Sequence, residues 1–301
     1  MPLKLGIHIG PQDLSIDELQ RLWQRADESG FHWVSVWDHF YSNPLKDRRN
    51  PCFEGVSAMT ALAAATRNVR VGCLVFCALF RNPGLLAKAA ASIDHISNGR
   101  AEIGVGAGWL EEEFREFGYG FPPLGQRLDQ LEEALTILRS LWREDETNFH
   151  GKYYAFDGAV CAPKPLNPKM RLWVGGRGKQ RTPDLAARFA DGFNMPYLSP
   201  DSVADRLCRL ERACATHQRD IAEIESSVNV GFYMGENADP PPEPMASGAL
   251  CGSSQEVIDR IGLYCRAGVN GLNLAIRPPI DWDALETFIA EVLPEFHEPR
   301  P

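Results

Sequence analysis

The sequence predicts an α/β protein of the TIM-barrel class, a closed (β/α)8 barrel with insertions in its loops, on three observations. Eight apolar runs of strand length alternate strictly with eight amphipathic runs of helix length along the 301 residues. One boundary mark recurs, an amphipathic segment followed by Gly or Asn-Gly and then an apolar run, in ESGFHWVSVW, ISNGRAEIGVG, RFADGFNM and CRAGVNGLNLAI. Glycine just past a helix end takes the left-handed conformation at little steric cost, and the Val/Ile/Leu/Phe/Trp run behind it reads as a buried parallel strand. The third observation is an asymmetry: most connections into strands are short, whereas several that leave strands are long. Strict alternation fits a barrel better than a doubly wound open sheet, the alternative being an open sheet with extra strands. Barrels of about 250 residues and more fold as one domain, so residues 1–301 are expected to form one.

In chain order, strands are expected near 3–9, 32–37, 69–76, 101–105, 171–174, 191–195, 227–234 and 271–276. The intervening helices are expected near 15–29, 54–66, 83–97, 125–143, 181–189, 200–217, 254–267 and 281–294. The first helix opens on Ser15 with Glu18 three residues on, and the seventh on Ser253 with Glu256, both with the spacing of a capping box. Thr182 before Pro183 and Ser199 before Pro200 each place a cap ahead of a first-turn proline. Long β-to-α loops fall at 38–53, 106–124 and 235–250, where a barrel carries lids and binding loops. Residues 144–170, with Tyr153-Tyr154 and APKPLNPK, read as an ordered excursion before the fifth strand.

Composition excludes several classes. The 44% hydrophobic and 24% charged content is that of an ordinary globular chain, not a disordered one. With 31 basic against 40 acidic residues and a net charge of -9, no positive field draws in phosphate backbones, so nucleic acid is not an expected partner. MPLKLGIHIG lacks the basic start and apolar core of a signal peptide, and no run is long enough to span a membrane, so a cytoplasmic protein is expected. The eight cysteines are scattered singly and read as thiols, with Cys73 and Cys77 expected on one side of a strand. No HExxH or Cys/His cluster marks a metal site.

The chemistry-bearing segments lie at predicted strand ends. WVGGRGKQRTPDL at 173–185 is a strand end, a turn with Gly175, Gly176 and Gly178, and a helix capped by Thr182. Glycines let backbone N–H groups approach an anion, the helix N-terminus adds unpaired donors, and Arg177, Lys179 and Arg181 add charge, which together describe a phosphate site. Gln180 after Lys179 rules out a Walker motif, and GVGAGW at 104–109 has the wrong spacing for a dinucleotide fingerprint. WDHF at 37–40 ends the second strand with Asp38, His39 and Phe40; an imidazole there can hydrogen-bond a cofactor ring or donate a proton, and a structural loop histidine fits the same residue. Glu54, opening the next helix, is either a second acid at the mouth or a first-turn carboxylate favoured by the helix dipole. His95 reads as a helix C-terminal residue, and Cys161, Trp173 and Trp282 as packing.

Together, IGPQDLSIDEL, ADESGFHWVSVWDHF, the block from VRVGCLVFCALFRNPGLLAKAAASIDHISNGR through GVGAGWLEEEFREFGYGFPPLGQRLDQLEEAL, and WVGGRGKQRTPDLAARFADGFN resemble the bacterial luciferase-like superfamily, most of all its branch that uses the deazaflavin coenzyme F420. The likeness runs from about residue 3 to residue 276, and the ordered NPGLLAK, SIDHIS, NGR, GVGAGW series is its most specific part. The resemblance implies a TIM barrel, usually a homodimer, with its cofactor at the C-terminal mouth. It places Asp38 and His39 beside the deazaflavin ring, a non-prolyl cis peptide at Cys73-Leu74 behind it, Gly104, Gly106 and Gly108 along it, and Gly175, Gly176, Gly178, Lys179, Arg181 and Thr182 at its phosphate, where the turn's Arg177 adds its charge.

The activity implied is hydride transfer between F420 and a small organic substrate, with reduction of an activated C=C or C=N bond favoured. The general acid is His39, Glu54 or none, and Phe40 with Trp109 is the apolar wall. In the family's sugar-phosphate dehydrogenases an acidic residue stands where this chain has Trp109, which argues against glucose 6-phosphate as substrate. The alternatives are an FMN-dependent monooxygenase using molecular oxygen, and a non-catalytic barrel that binds a flavin or phosphorylated metabolite.

Overall fold

The computed structural model describes residues 3–43, 47–235, 241–242 and 245–296. Eight parallel strands close into a barrel: β1 (Lys4–His8), β2 (Trp33–Val36), β3 (Arg70–Cys77), β4 (Ala101–Gly106), β5 (Arg171–Gly175), β6 (Gly192–Pro196), β7 (Glu225–Met234) and β8 (Gly271–Ala275). Strands adjacent in this order pair with each other, and the ring closes where β8 meets β1, with Lys4 opposite Gly271 and His8 opposite Ala275. The helices are α1 (Ile16–Ser29), α2 (Gly55–Ala65), α3 (Pro83–Ile96), α4 (Glu111–Glu116), α5 (Leu124–Arg143), α6 (Arg181–Phe189), α7 (Pro200–Thr216), α8 (Ser254–Arg266) and α9 (Trp282–Thr287), the last running on through a wider turn at Phe288–Val292 to Phe296. No described helix is long and apolar enough to cross a membrane.

The eight expected strands and eight expected helices are present with ends shifted by at most two residues, and both capping boxes form, Ser15 with Glu18 and Ser253 with Glu256. Three elements are additional. Helix α4 lies in the loop after β4; its six residues are too few to show a period. The excursion before β5 is ordered around an antiparallel hairpin, Thr147–His150 against Ala155–Ala159. Leu250–Gly252 pairs in parallel with the far end of β7, Leu250 opposite Phe232; part of the long loop before it lies outside the described residues.

The main apolar core fills the space between strands and helices, where residues such as Ile7, Val34, Ile103, Leu22, Met59 and Leu138 are fully buried. Each such side chain contributes about 1.5–3 kcal/mol. A smaller cluster of Trp33, Leu74 and Trp173, with Val75 against it, packs separately, the two indole rings 5.7 Å apart. Side chains on a strand alternate between faces, so Cys73 on the main core and Leu74 on the inner cluster would send Val75 back outward. It does not go. Val75 joins Leu74, Phe76 returns to the main core, and pairing with β4 jumps from Cys73–Ile103 to Phe76–Val105.

This bulge corrects two expectations. The non-prolyl cis peptide is Leu74–Val75, one residue beyond the expected Cys73–Leu74, and joins the two residues that share a face. Cys73 and Cys77 do not share one environment: Cys73 sits in the main core, whereas Cys77 packs with Phe80 and Phe114. The space for Val75 comes from glycines on the next two strands. A Cβ on Gly106 would lie 2.7 Å from Val75 Cγ2, one on Gly175 2.5 Å from Val75 Cγ1, and one on Gly104 3.0 Å from both Leu74 and Val75.

At the end of β1, His8 is buried and its Nδ1 lies 2.9 Å from Ser35 Oγ. Burial, helped by the charges of Arg277 and His39, pushes its pKa from 6.5 down to about 3. Two expectations follow. Gly104→Ala lowers stability by about 1–3 kcal/mol through forced overpacking, read as a fall in urea midpoint, whereas Gly120→Ala, with open space at its Cβ, leaves it unchanged. Above pH 6.5 His8 is neutral in both folded and unfolded chains. Below it the unfolded chain takes a proton that the folded one refuses until about pH 3, so stability falls with pH by about 1.4 kcal/mol per unit from this group. His8→Gln removes that slope in urea titrations between pH 6.5 and 4, and an unchanged slope would refute the assignment.

Candidate active site

The loop leaving β2 carries Asp38, His39 and Phe40 to the C-terminal mouth of the barrel, and buried carboxylates hold it there. Asp38 accepts from the Cys77 amide at 2.8 Å and from a two-pronged Arg81, at 2.7 Å to Oδ2 and 2.9 Å to Oδ1. Arg81 also reaches Glu54 at 2.8 Å. Burial opposes the charge on Arg81, but the Asp38 bond and the charges of Asp38 and Glu54 outweigh it and hold its pKa above the ordinary value. The fork ties the end of β2 to the end of β3 and to the start of α2.

Glu54 is the N-cap of α2, accepting from the amides of Val56 at 3.0 Å and Ser57 at 2.7 Å. Burial would raise its pKa, yet the Ser57 and Val56 amides, the Ser57 hydroxyl and Arg81 lower it below the usual carboxylate range. This corrects the expectation of a proton donor: Glu54 is held ionised, with both oxygens engaged.

His39 is presented differently. Its Nδ1 lies 2.8 Å from Glu113 Oε2, and the other oxygen of Glu113 accepts from the amides of Phe40 at 2.7 Å and Tyr41 at 3.1 Å. Glu113, on α4, has a side chain 1% exposed. With a carboxylate on Nδ1 the imidazole carries its proton there, which leaves Nε2 as the acceptor, and the Asn43 amide sits 3.4 Å from Nε2 as its donor. The Trp109 ring meets the His39 ring edge-on at 5.6 Å and is 60% exposed. Phe40, expected as part of a substrate wall, instead stacks on Phe117 at 4.3 Å and packs on Phe80 at 4.5 Å. Those rings pack the loops after β2, β3 and β4 together, so Trp109 alone of the expected pair offers an open aromatic face.

Across the mouth, the turn after β5 carries the glycine-rich segment. Gly176 adopts φ +154°, and Gly178 lies so close to the Thr182 hydroxyl that a Cβ would collide with it. Thr182 is not the cap of α6, contrary to expectation: the helix starts at Arg181, Gln180 is its N-cap without a side-chain bond, and Thr182 is buried in the first turn. Arg181 is also committed, donating to the Gly125 carbonyl at 3.0 Å and pairing with Asp129 at 2.7 Å. Arg177 and Lys179 are exposed and make no hydrogen bond or ion pair among the described residues.

Other expected residues have packing roles. Gly104, Gly106 and Gly175 make room for Leu74 and Val75, Gly108, at φ +71°, closes on Cys77 and Phe114, and Cys73 is turned into the main core. Sequence reasoning missed Glu113, one of three consecutive glutamates whose inward member only the tertiary fold selects. It also missed Arg277, just past the end of β8, where the barrel rule alone would have flagged it. Arg277 bonds the Asn43 carbonyl and the Tyr197 hydroxyl, and its guanidinium lies 4.7 Å over Trp37.

Glu113→Gln keeps the shape but removes the anion that selects the Nδ1–H form, so 15N NMR of His39 is expected to change from one dominant tautomer to a mixture. Glu113→Ala also strands two loop amides and costs about 2–4 kcal/mol in unfolding free energy. An unchanged His39 tautomer in Glu113→Gln counts against the positioning role.

Comparison with known proteins agrees with this architecture. An F420-dependent glucose-6-phosphate dehydrogenase of Gordonia bronchialis is 34% identical over 197 residues, 64% of this chain and 56% of that protein. An FMNH(2)-dependent dimethylsulfone monooxygenase of Pseudomonas putida is 31% identical over 179 residues, 59% of this chain and 48% of that protein. The chain thus spans about half the length of the curated relatives it matches. A solved F420-dependent secondary alcohol dehydrogenase, in complex with an F420-acetone adduct, superposes with a TM-score of 0.86 at 20% identity, covering 99% of this chain and 100% of that one, and shares its fold. The family profile described as luciferase-like monooxygenase matches residues 2–240, from ahead of β1 to beyond β7, and the chain belongs to that family.

Proposed function

We propose that this chain is an F420-dependent oxidoreductase that transfers a hydride between the deazaflavin and a small, apolar organic substrate, reduction of an activated C=C or C=N bond being favoured. The observation that carries the reading is the His39–Glu113 pair at the mouth, with a glycine turn whose helix has no side-chain cap and whose two cations make no hydrogen bond or ion pair among the described residues. The names of the Gordonia and secondary alcohol dehydrogenase relatives support F420 in particular.

The residues present fit such a ligand at both ends. The uncapped start of α6, Gly176, Gly178, Thr182, Arg177 and Lys179 suit a phosphate. The apolar Leu74–Val75 bulge and the Trp109 face suit a ring and an apolar substrate. Bound there, F420 would supply a hydride-transferring centre at C5 of its deazaflavin ring. Glu113 keeps the His39 ring in one orientation with Nδ1 protonated, so Nε2 is the atom that takes up or releases a proton at the mouth. Asp38, forked by Arg81, anchors the loop beside His39. Trp109 in place of an acid argues against glucose 6-phosphate. A homodimer belongs to the same proposal, supported by the exposed Leu85 and Ile96 on α3.

Parallel fluorescence titrations of the chain with F420 and FMN test the reading. F420 is expected to bind more tightly, Lys179→Ala and Arg177→Ala to weaken it about tenfold each, and His39→Gln to slow single-turnover hydride transfer by about a hundredfold or more. Tighter FMN binding with oxygen consumption by the reduced flavin moves the chain to the monooxygenases, as the Pseudomonas relative would have it. Binding of neither cofactor overturns the site.

A further inference from the structure

The loops that leave β2, β6, β7 and β8 meet at the mouth around Arg277, and the wall they make holds more hydrogen-bond donors than acceptors. Arg277 Nη1 donates to the Asn43 carbonyl, its Nη2 lies 3.0 Å from the Tyr197 hydroxyl and 3.8 Å from Met245 Sδ, and its guanidinium sits 4.7 Å over Trp37. No carboxylate pairs with it among the described residues, and its buried Nε has no hydrogen-bond partner. The Trp37 indole, 5% exposed, has an Nε1 that is likewise buried and unmet. Tyr197 uses its oxygen to accept from Arg277, so its O–H is left to donate, and no described residue accepts it. Burial keeps the proton there, holding the Tyr197 pKa above its ordinary value although Arg277 opposes this. The Tyr197 backbone stands at φ +53°, a left-handed conformation that is costly for a bulky residue and that concentrates at functional sites. This wall adjoins His39: Asn43 Nδ2 lies 3.4 Å from His39 Nε2, and the Trp37 and His39 rings are 6.3 Å apart. Donors kept from water without acceptors, beside a cation without a counter-charge, are unfavourable alone and suit an oxygen that carries or develops negative charge.

We propose that Tyr197 and Arg277 receive the oxygen of a substrate whose C=C bond is conjugated to a carbonyl or carboxylate group, the Tyr197 hydroxyl donating to that oxygen and Arg277 supplying the charge beside it. The inference rests on the oxidoreductase reading above and names its substrate class. A donor and a cation on the oxygen draw electron density out of the double bond, which makes its far carbon the better hydride acceptor. A C=N substrate without such an oxygen leaves the wall unmet, so C=C is the bond this wall selects. Asn43, which bonds Arg277 through its carbonyl and faces His39 through its amide, ties the oxygen subsite to the imidazole.

Calorimetric titration of the intact chain with cinnamate, and with cinnamyl alcohol, which has the same ring and double bond without the conjugated oxygens, is the test. The wild-type chain is expected to prefer cinnamate by about tenfold or more, as for one charge-assisted bond. Arg277→Gln abolishes that preference while leaving cinnamyl alcohol within about twofold, Arg277→Lys restores part of it, and Tyr197→Phe shrinks it about fivefold. Equal affinity of the wild-type chain for the two probes, or a preference that survives both Arg277→Gln and Tyr197→Phe, overturns the subsite. Should Arg277→Gln fail to fold by circular dichroism, Tyr197→Phe, which removes one hydroxyl and keeps the ring, must shrink the preference. Because the probes are titrated without cofactor, the two failures separate. A chain that prefers cinnamate through Arg277 but does not bind F420 keeps the oxygen subsite and loses the cofactor; one that binds F420 yet does not tell the probes apart keeps the cofactor and loses the subsite.

Discussion

A carboxylate taken out of water has to be met by donors, and at the mouth of this barrel that requirement shapes everything around it. Glu113 is met by the His39 ring and two amides of the loop that carries it; Asp38 is met by an amide of β3 and both prongs of Arg81. Neither carboxylate has a donor to spare. Residues 38–41, at the start of the loop after β2, are fixed from two sides by charge-assisted bonds, and the aromatic packing of Phe40, Phe80 and Phe117 fills in behind them. The chemistry of the site is therefore set less by His39 itself than by what surrounds it.

The glycines divide by the same kind of accounting. Gly104, Gly106 and Gly175 exist because the Leu74–Val75 bulge places an extra side chain inside the barrel, and their strands would have to part if they carried a Cβ. Gly176 and Gly178 face no such intruder. The first adopts a backbone conformation closed to most residues, and the second lets the turn fold down onto Thr182. Sequence alone lumps the two sets together, since each is a glycine near a strand end.

The architecture was legible because it is written in repeated local terms: period, capping boxes, and glycine before four of the strands. Eight strands and eight helices follow from these. The site was legible only in position. WDHF and the glycine turn lie where the barrel rule puts them, yet Thr182 proved to be a first-turn residue, Arg181 was already claimed by Asp129, and Glu54 by Arg81 and two amides. The claims on Arg181 and on the Arg81 side of Glu54 depend on partners 27 to 56 residues away, which no short window of sequence contains. The bulge was missed by one residue, and with it the separation of Cys73 from Cys77, because strand alternation is a rule that a single inserted residue reverses. Glu113 was hidden among Glu111 and Glu112 on a helix too short to have a readable face.

The placement of Glu113 has a consequence for how such a barrel diversifies. The loop between β4 and α5 carries both Trp109, an exposed ring at the mouth, and the carboxylate that orients the imidazole. On the proposed function, the ring that would face the substrate and the carboxylate that orients the imidazole thus lie on one stretch of chain. An insertion or exchange in that loop that widens the mouth also moves the anchor of His39, so under that reading selectivity and reactivity would be inherited together and change together.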